Sequence, residues 1–131
     1  MTSYLWVALG SALGGVARFW CGGVAVAALG SAFPWGTLLV NVVGSFVIGF
    51  TAAITGPGGL LSVSSDARSF VMVGLCGGFT TFSSFSLQTL GLMQDGAWLQ
   101  AGWNVGLSVV LCMVAVWLGH LAAGALNQLL G

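Results

Sequence analysis

Read from the N-terminus, apolar residues run in four long blocks with few polar interruptions. They cover about 4–29, 35–55, 69–93 and 98–126. Each is long enough to cross a bilayer as a helix, which takes about 20 mostly apolar residues. The links 30–34, 56–68 and 94–97 are short and turn-forming, and Pro57 with Gly58 and Gly59 is the clearest breaker. Trp6, Trp35, Trp98 and Trp103 fall near block ends, where indole rings favour the membrane–water interface. The pattern predicts an all-α membrane protein, a single four-helix transmembrane domain over 1–131. The N-terminus lacks a basic n-region and its apolar stretch is long for an h-region, so the first block is expected to span rather than be cleaved.

Polar residues inside the blocks recur at helical spacing. Thr37, Asn41, Ser45 and Gly49 stand every fourth position on the second block, and Asn104, Ser108 and Cys112 do so on the fourth, so each set shares one helix face. An Asn inside a span is costly unless its amide finds partners. Two readings fit both stripes: hydrogen bonds that join helices, or the walls of a hydrophilic path. Gly10 and Gly14 form a GxxxG pair, and Gly44 and Gly49 lie on the second block. Close helix packing accounts for most of the 22 glycines.

The third block carries the most information. Residues 74–85 read GLCGGFTTFSSF. Adjacent Gly77 and Gly78 followed by Thr80 and Thr81 weaken a helix in mid-span. A break there would release carbonyl oxygens at membrane depth, a state tolerated only inside protein or beside water. Such oxygens suit a small hard cation such as Na⁺. A continuous, glycine-packed helix fits the same letters. Phe82 and Phe85, three residues apart, share a face. Ring edges are electropositive and can line an anion path, although two phenylalanines at this spacing also fit core or lipid contact. Thr81, Ser84 and Gln88 make a second, polar face of the same helix.

Composition narrows the function. Charged residues are 3% of the chain, against about a quarter in soluble domains, and mean hydropathy is +1.08. The charged side chains are Arg18, Arg68, Asp66 and Asp95, with His120 the lone histidine and no lysine. Nucleic acid is excluded as a partner, since phosphate neutralisation needs clustered cations. Most metal and acid–base enzymes are excluded too. Cys21, Cys76 and Cys112 are odd in number and lie in apolar runs, so no disulfide framework is implied. Asp66 and Asp95 fall in expected loops. No carboxylate then lies in a span, which removes the usual relay of a proton-coupled small-multidrug-type transporter and leaves nothing there to repel an anion. A non-transporting assembly subunit would explain the glycines but not the polar stripes. Arg18 is the one cation inside a block, either snorkelling to the interface or facing a wet vestibule that draws anions in. Two arginines, one on either side of the second block, give almost no positive-inside bias. A chain with so little bias is expected to insert either way up. With no internal repeat, any inverted symmetry would need two chains in opposite orientations.

At this point the motifs converge. Gly14-Gly15-Val16-Ala17-Arg18, the run from Gly36 to Ser45 (GTLLVNVVGS), and the run from Gly74 to Phe85 resemble the CrcB/Fluc fluoride channels, in order and over essentially the whole chain. The resemblance implies a dual-topology antiparallel homodimer with two fluoride pores and a third helix broken near its centre. It implies passive fluoride export across the inner (plasma) membrane, which lowers fluoride toxicity. It places Asn41, Phe82, Phe85 and Ser108 on the fluoride path beside the hydroxyls of Thr37, Thr81 and Ser84, and Arg18 at the vestibule. A structural Na⁺ at the dimer centre would be held by main-chain carbonyls of Gly77 and Thr80. Two departures stand out. Gln88 replaces the Glu common in relatives, which puts any carboxylate role there in doubt, and Ser84 replaces a Thr with the hydroxyl kept.

Overall fold

The computed structural model describes all 131 residues. Four helical spans run Thr2–Leu29, Trp35–Ile54, Ser65–Gln94 and Trp98–Leu130, each long and apolar enough to cross a membrane. Only 17 of the 131 residues are buried, and the exposed faces are rich in Leu, Val, Phe and Trp. A surface of that kind is solvated by lipid chains rather than by water.

The third span starts four residues earlier than the apolar pattern suggests. Ser64 caps it by accepting the Ala67 N–H at 3.2 Å, and Asp66 sits in the first turn, where the helix dipole favours a negative charge. Asp66 is therefore helical rather than in a loop, and its carboxylate accepts the Ser3 hydroxyl at 2.6 Å. It remains at a span end. Asp95 follows the other end of the span, as its place in a loop required. The fourth span runs on to Leu130, where Asn127 accepts the Leu60 N–H at 3.0 Å and donates to the Ala53 carbonyl at 3.2 Å. This one side chain pins the glycine-rich link to two helices.

Lipid offers apolar side chains no hydrophobic reward for association, so the spans approach through small residues. The first span crosses the first half of the third at Gly10, Gly14, Gly74 and Gly78. A Cβ on Gly10 would lie 2.5 Å from the Phe70 carbonyl oxygen, and one on Gly78 would lie 2.5 Å from that of Ser11. The chain facing this crossing, Phe70–Cys76, winds in wider π-type turns. The second and fourth spans cross at Gly49 and Gly119, where a Cβ on Gly119 would lie 2.9 Å from the Phe50 nitrogen. Gly49 thus serves packing, although it stands in register with Thr37, Asn41 and Ser45.

These contacts predict an asymmetry between neighbouring glycines. A Cβ on Gly14 would sit 2.7 Å from the Phe79 nitrogen, whereas one on Gly15 meets nothing within 4 Å. Gly14→Ala should cost about 1–3 kcal/mol and lower the melting temperature in detergent, while Gly15→Ala leaves it unchanged or raised. Equal melting temperatures for the two variants would contradict the crossing.

Candidate functional site

The helical backbone of the third span is interrupted at two residues. Thr80 (φ −88°, ψ 159°) and Thr81 (φ −154°, ψ 116°) are extended between helical segments ending at Phe79 and starting at Phe82. Of the weak segment read from the sequence, the threonines are interrupted and the adjacent glycines stay helical: Gly77 has φ −64° and ψ −37°. β-branched threonines tolerate extended backbone well, and each is locked by hydrogen bonds. The N–H and hydroxyl of Thr80 both donate to the Cys76 carbonyl, at 3.0 and 2.8 Å. Gly44 leaves the space that the Thr80 methyl fills.

Asn41 holds the interruption from the second span. Its Oδ1 accepts the Thr81 N–H at 2.7 Å, and its Nδ2 donates to the Thr81 carbonyl at 3.0 Å. The amide thus pairs with one peptide residue as a neighbouring strand would. One Nδ2 hydrogen stays uncommitted by this pairing. Thr81 in turn caps the second half of the span, its Oγ1 accepting the Ser84 N–H at 3.2 Å and donating to the Ser84 hydroxyl at 3.1 Å.

The diverted donors account for two of the carbonyls at the break. In a continuous helix the Thr81 N–H would go to the Gly77 carbonyl, and the Ser84 N–H to that of Thr80. Here they go to Asn41 and to the Thr81 hydroxyl. Gly77 and Thr80 are therefore the residues whose usual intrahelical donors have been taken by side chains.

Two cavities meet at Thr81. One, of about 410 Å³, brings together Asn41, Thr80, Thr81, Phe82, Phe85 and Ser108, with the Gly77 backbone on its wall. The Phe82 and Phe85 rings lie 5.3 Å apart at 49°. Ser108 is 8% exposed and its hydroxyl is the one buried side-chain polar atom without a hydrogen-bond partner. A desolvated, unpaired donor is costly, and here it borders a space large enough for an ion. The second cavity is a wider cleft of about 930 Å³ lined by Arg18, Thr37, Thr81, Ser84, Gln88 and Asp95, among others. Thr37 and Asn41, one helical turn apart, thus open onto different cavities, with Thr81 common to both.

One polar residue went elsewhere. Asn104, in register with Ser108 and Cys112, lies outside the 410 Å³ cavity and is 1% exposed, donating to the Thr89 hydroxyl at 2.9 Å. Helical spacing placed it on the correct face but carried no information about Thr89.

The arrangement defines an all-helical, multi-pass membrane protein whose polar groups gather where one span is interrupted. Comparison with known proteins narrows this further. Residues 5–120 match the family described as CrcB-like protein, Camphor Resistance (CrcB), and the chain belongs to that family. It is 60% identical over 128 residues to a protein of Methylocella silvestris, covering 98% of each chain, and 60% identical over 131 residues to one of Opitutus terrae, covering 100% of this chain and 99% of the relative. A protein of Rhodospirillum rubrum is 55% identical over 126 residues, covering 96% of this chain and 98% of its own. Each of these relatives is named a fluoride-specific ion channel, FluC.

The double hydrogen bond of Asn41 makes a stability prediction. Asn41→Ala strips the Thr81 N–H and carbonyl of their partner and should cost about 2–4 kcal/mol. The denaturation midpoint in detergent reports it, and an unchanged midpoint would show that the clasp does not hold the interruption.

Proposed function

We propose that this chain is a passive fluoride channel of the inner (plasma) membrane, working as two copies in opposite orientations. The observation that carries the reading is the 410 Å³ cavity, which the two phenylalanines line together with Asn41 and the unpartnered Ser108 hydroxyl. Fluoride is small and strongly hydrated, so a dry path must replace its water shell. Hydroxyl and amide donors supply strong hydrogen bonds, and the electropositive ring edges add attraction without a fixed charge that would trap the ion. Both aspartates stand at the ends of the third span, so no carboxylate repels it in mid-membrane. The names of the relatives support the choice of halide.

On this reading the ion enters by the wide cleft, where Arg18 raises the local anion concentration and Thr37 and Ser84 begin to exchange water for hydroxyls. It passes Thr81 and runs between Phe82, Phe85, Asn41 and Ser108. Transport needs no proton coupling. Hydrogen fluoride crosses the bilayer, ionises inside, and the trapped anion leaves down its own gradient.

The antiparallel pair is supported by the charge distribution. Arg18 and Asp95 line one cleft at one end, while Asp66 and Arg68 lie together in the first turns of the third span at the other. One arginine goes with each end, so the positive-inside rule, which counts Lys and Arg, gives no preferred orientation. A two-fold axis beside Gly77 and Thr80 would present each released carbonyl twice. Four such oxygens fit a Na⁺ ion, a hard cation that takes main-chain oxygen. Bound there, it would add positive charge and tie the two interrupted spans together. The exposure of Gly77, and the 79% exposure of Phe82, in the single chain support a second copy covering that face.

Two outcomes are expected. Phe82→Ile or Phe85→Ile should cut fluoride efflux from liposomes at least tenfold (about 1.4 kcal/mol or more) while assembly in detergent survives; undiminished efflux measured with an ion-selective electrode refutes the ring-edge role. Single cysteines placed near Arg68 in a background lacking the native thiols should label with an impermeant maleimide from both sides of the membrane. Labelling from one side only would refute the dual orientation.

A further inference from the structure

The second half of the third span, Phe82–Gln94, carries both phenylalanines, and the break at Thr80–Thr81 removes the continuous helix that would otherwise fix its position. At its near end Asn41 grips Thr81. Along the rest of its length one side-chain hydrogen bond joins it to another span: Asn104 Nδ2 donates to Thr89 Oγ1 at 2.9 Å. The Thr89 hydroxyl then donates its own hydrogen to the Phe85 carbonyl at 2.7 Å. Asn104 and Thr89 are 1% and 6% exposed, the two most deeply buried polar side chains in the chain.

Their position is specific. Thr89 is one turn beyond Phe85, and Asn104 is one turn before Ser108. The two helices run antiparallel, so a link between Thr89 and Asn104 brings Phe85 level with Ser108, and both border the same cavity. From these placements we infer that Asn104 and Thr89 are positioning residues, a relay that sets the distance between the Phe85 ring and the Ser108 hydroxyl across the ion path. The inference rests on the fluoride reading and deepens it. Neither side chain touches the ion. They act by holding two groups that must match an ion of one size, where a displacement of about 1 Å is enough to lose most of the gain from fixed geometry.

Interhelical hydrogen bonds in membranes also act as plain glue, and a pair of variants separates the two roles. Thr89→Val alone leaves the buried Asn104 amide unpaired and should lower stability. The double variant Thr89→Val with Asn104→Leu replaces both partners by apolar groups of similar shape, a change that is nearly neutral for stability. A gluing role would return both stability and fluoride efflux to the parent level in the double variant. A positioning role returns the melting temperature while efflux stays about tenfold down, with a raised half-saturating fluoride concentration. Thr89→Ser keeps the relay and should conduct like the parent. Parent-level efflux from the folded double variant would overturn the inference and leave the function standing. Absence of fluoride efflux from the parent protein itself would overturn both.

Discussion

Main-chain polar groups in the middle of a bilayer have no water to fall back on, and each one left unpaired costs several kcal/mol. The rest of this molecule is arranged around that constraint at Thr80 and Thr81. An interrupted helix there survives because two side chains replace lost ladder bonds, the Asn41 amide on Thr81 and the Thr81 hydroxyl on the Ser84 N–H, while the Thr80 hydroxyl adds a second donor to the Cys76 carbonyl. The second span must bring Asn41 within reach, and Gly44 lets it approach. Diverting those N–H groups takes the usual donors from the Gly77 and Thr80 carbonyls, so one device both stabilises the break and frees main-chain oxygen in mid-span.

The same break explains how a chain with almost no charge gathers polar chemistry in one place. A continuous helix would bury its peptide groups in its own ladder. Interrupting it brings Thr80, Thr81 and the start of a new helix to the wall of a cavity that Asn41, Ser108 and the phenylalanines complete. Packing elsewhere is done by glycine against backbone, at Gly10, Gly14 and Gly78 on one side and Gly49 and Gly119 on the other. Such contacts fix helix positions without large side chains, leaving the few polar ones free to meet. Three of the four charges, Asp66, Arg68 and Asp95, stand at or near span ends, and Arg18 lies within the first span on the wide cleft.

Much of this was legible in the residues because a membrane allows few architectures. Length and apolarity fixed the number of spans and, within a few residues, their ends. The exceptions have local causes: Ser64 and Asp66 make a polar stretch helical, and Asn127 rewards an extra turn at the C-terminus. The break was legible as a weak segment of two glycines followed by two threonines. The glycines stay helical, and the tertiary partner Asn41 selects the threonines. Helical spacing put Phe82 and Phe85 on one face, and the structure brings them to one cavity with Asn41 and Ser108, with Phe82 at its exposed side. It could not show that Asn104 leaves the cavity for Thr89, because that depends on the register between two spans rather than on either alone.

The account stands or falls on where a halide rests relative to the interrupted span. A high-resolution map of the protein in lipid nanodiscs, prepared in sodium fluoride, tests this directly. The account predicts extended chain at Thr80 and Thr81 with Asn41 clasping it, and ion density between the Phe82 and Phe85 ring edges and the Ser108 hydroxyl. An unbroken third helix, with those rings and Asn41 turned toward lipid, would contradict it.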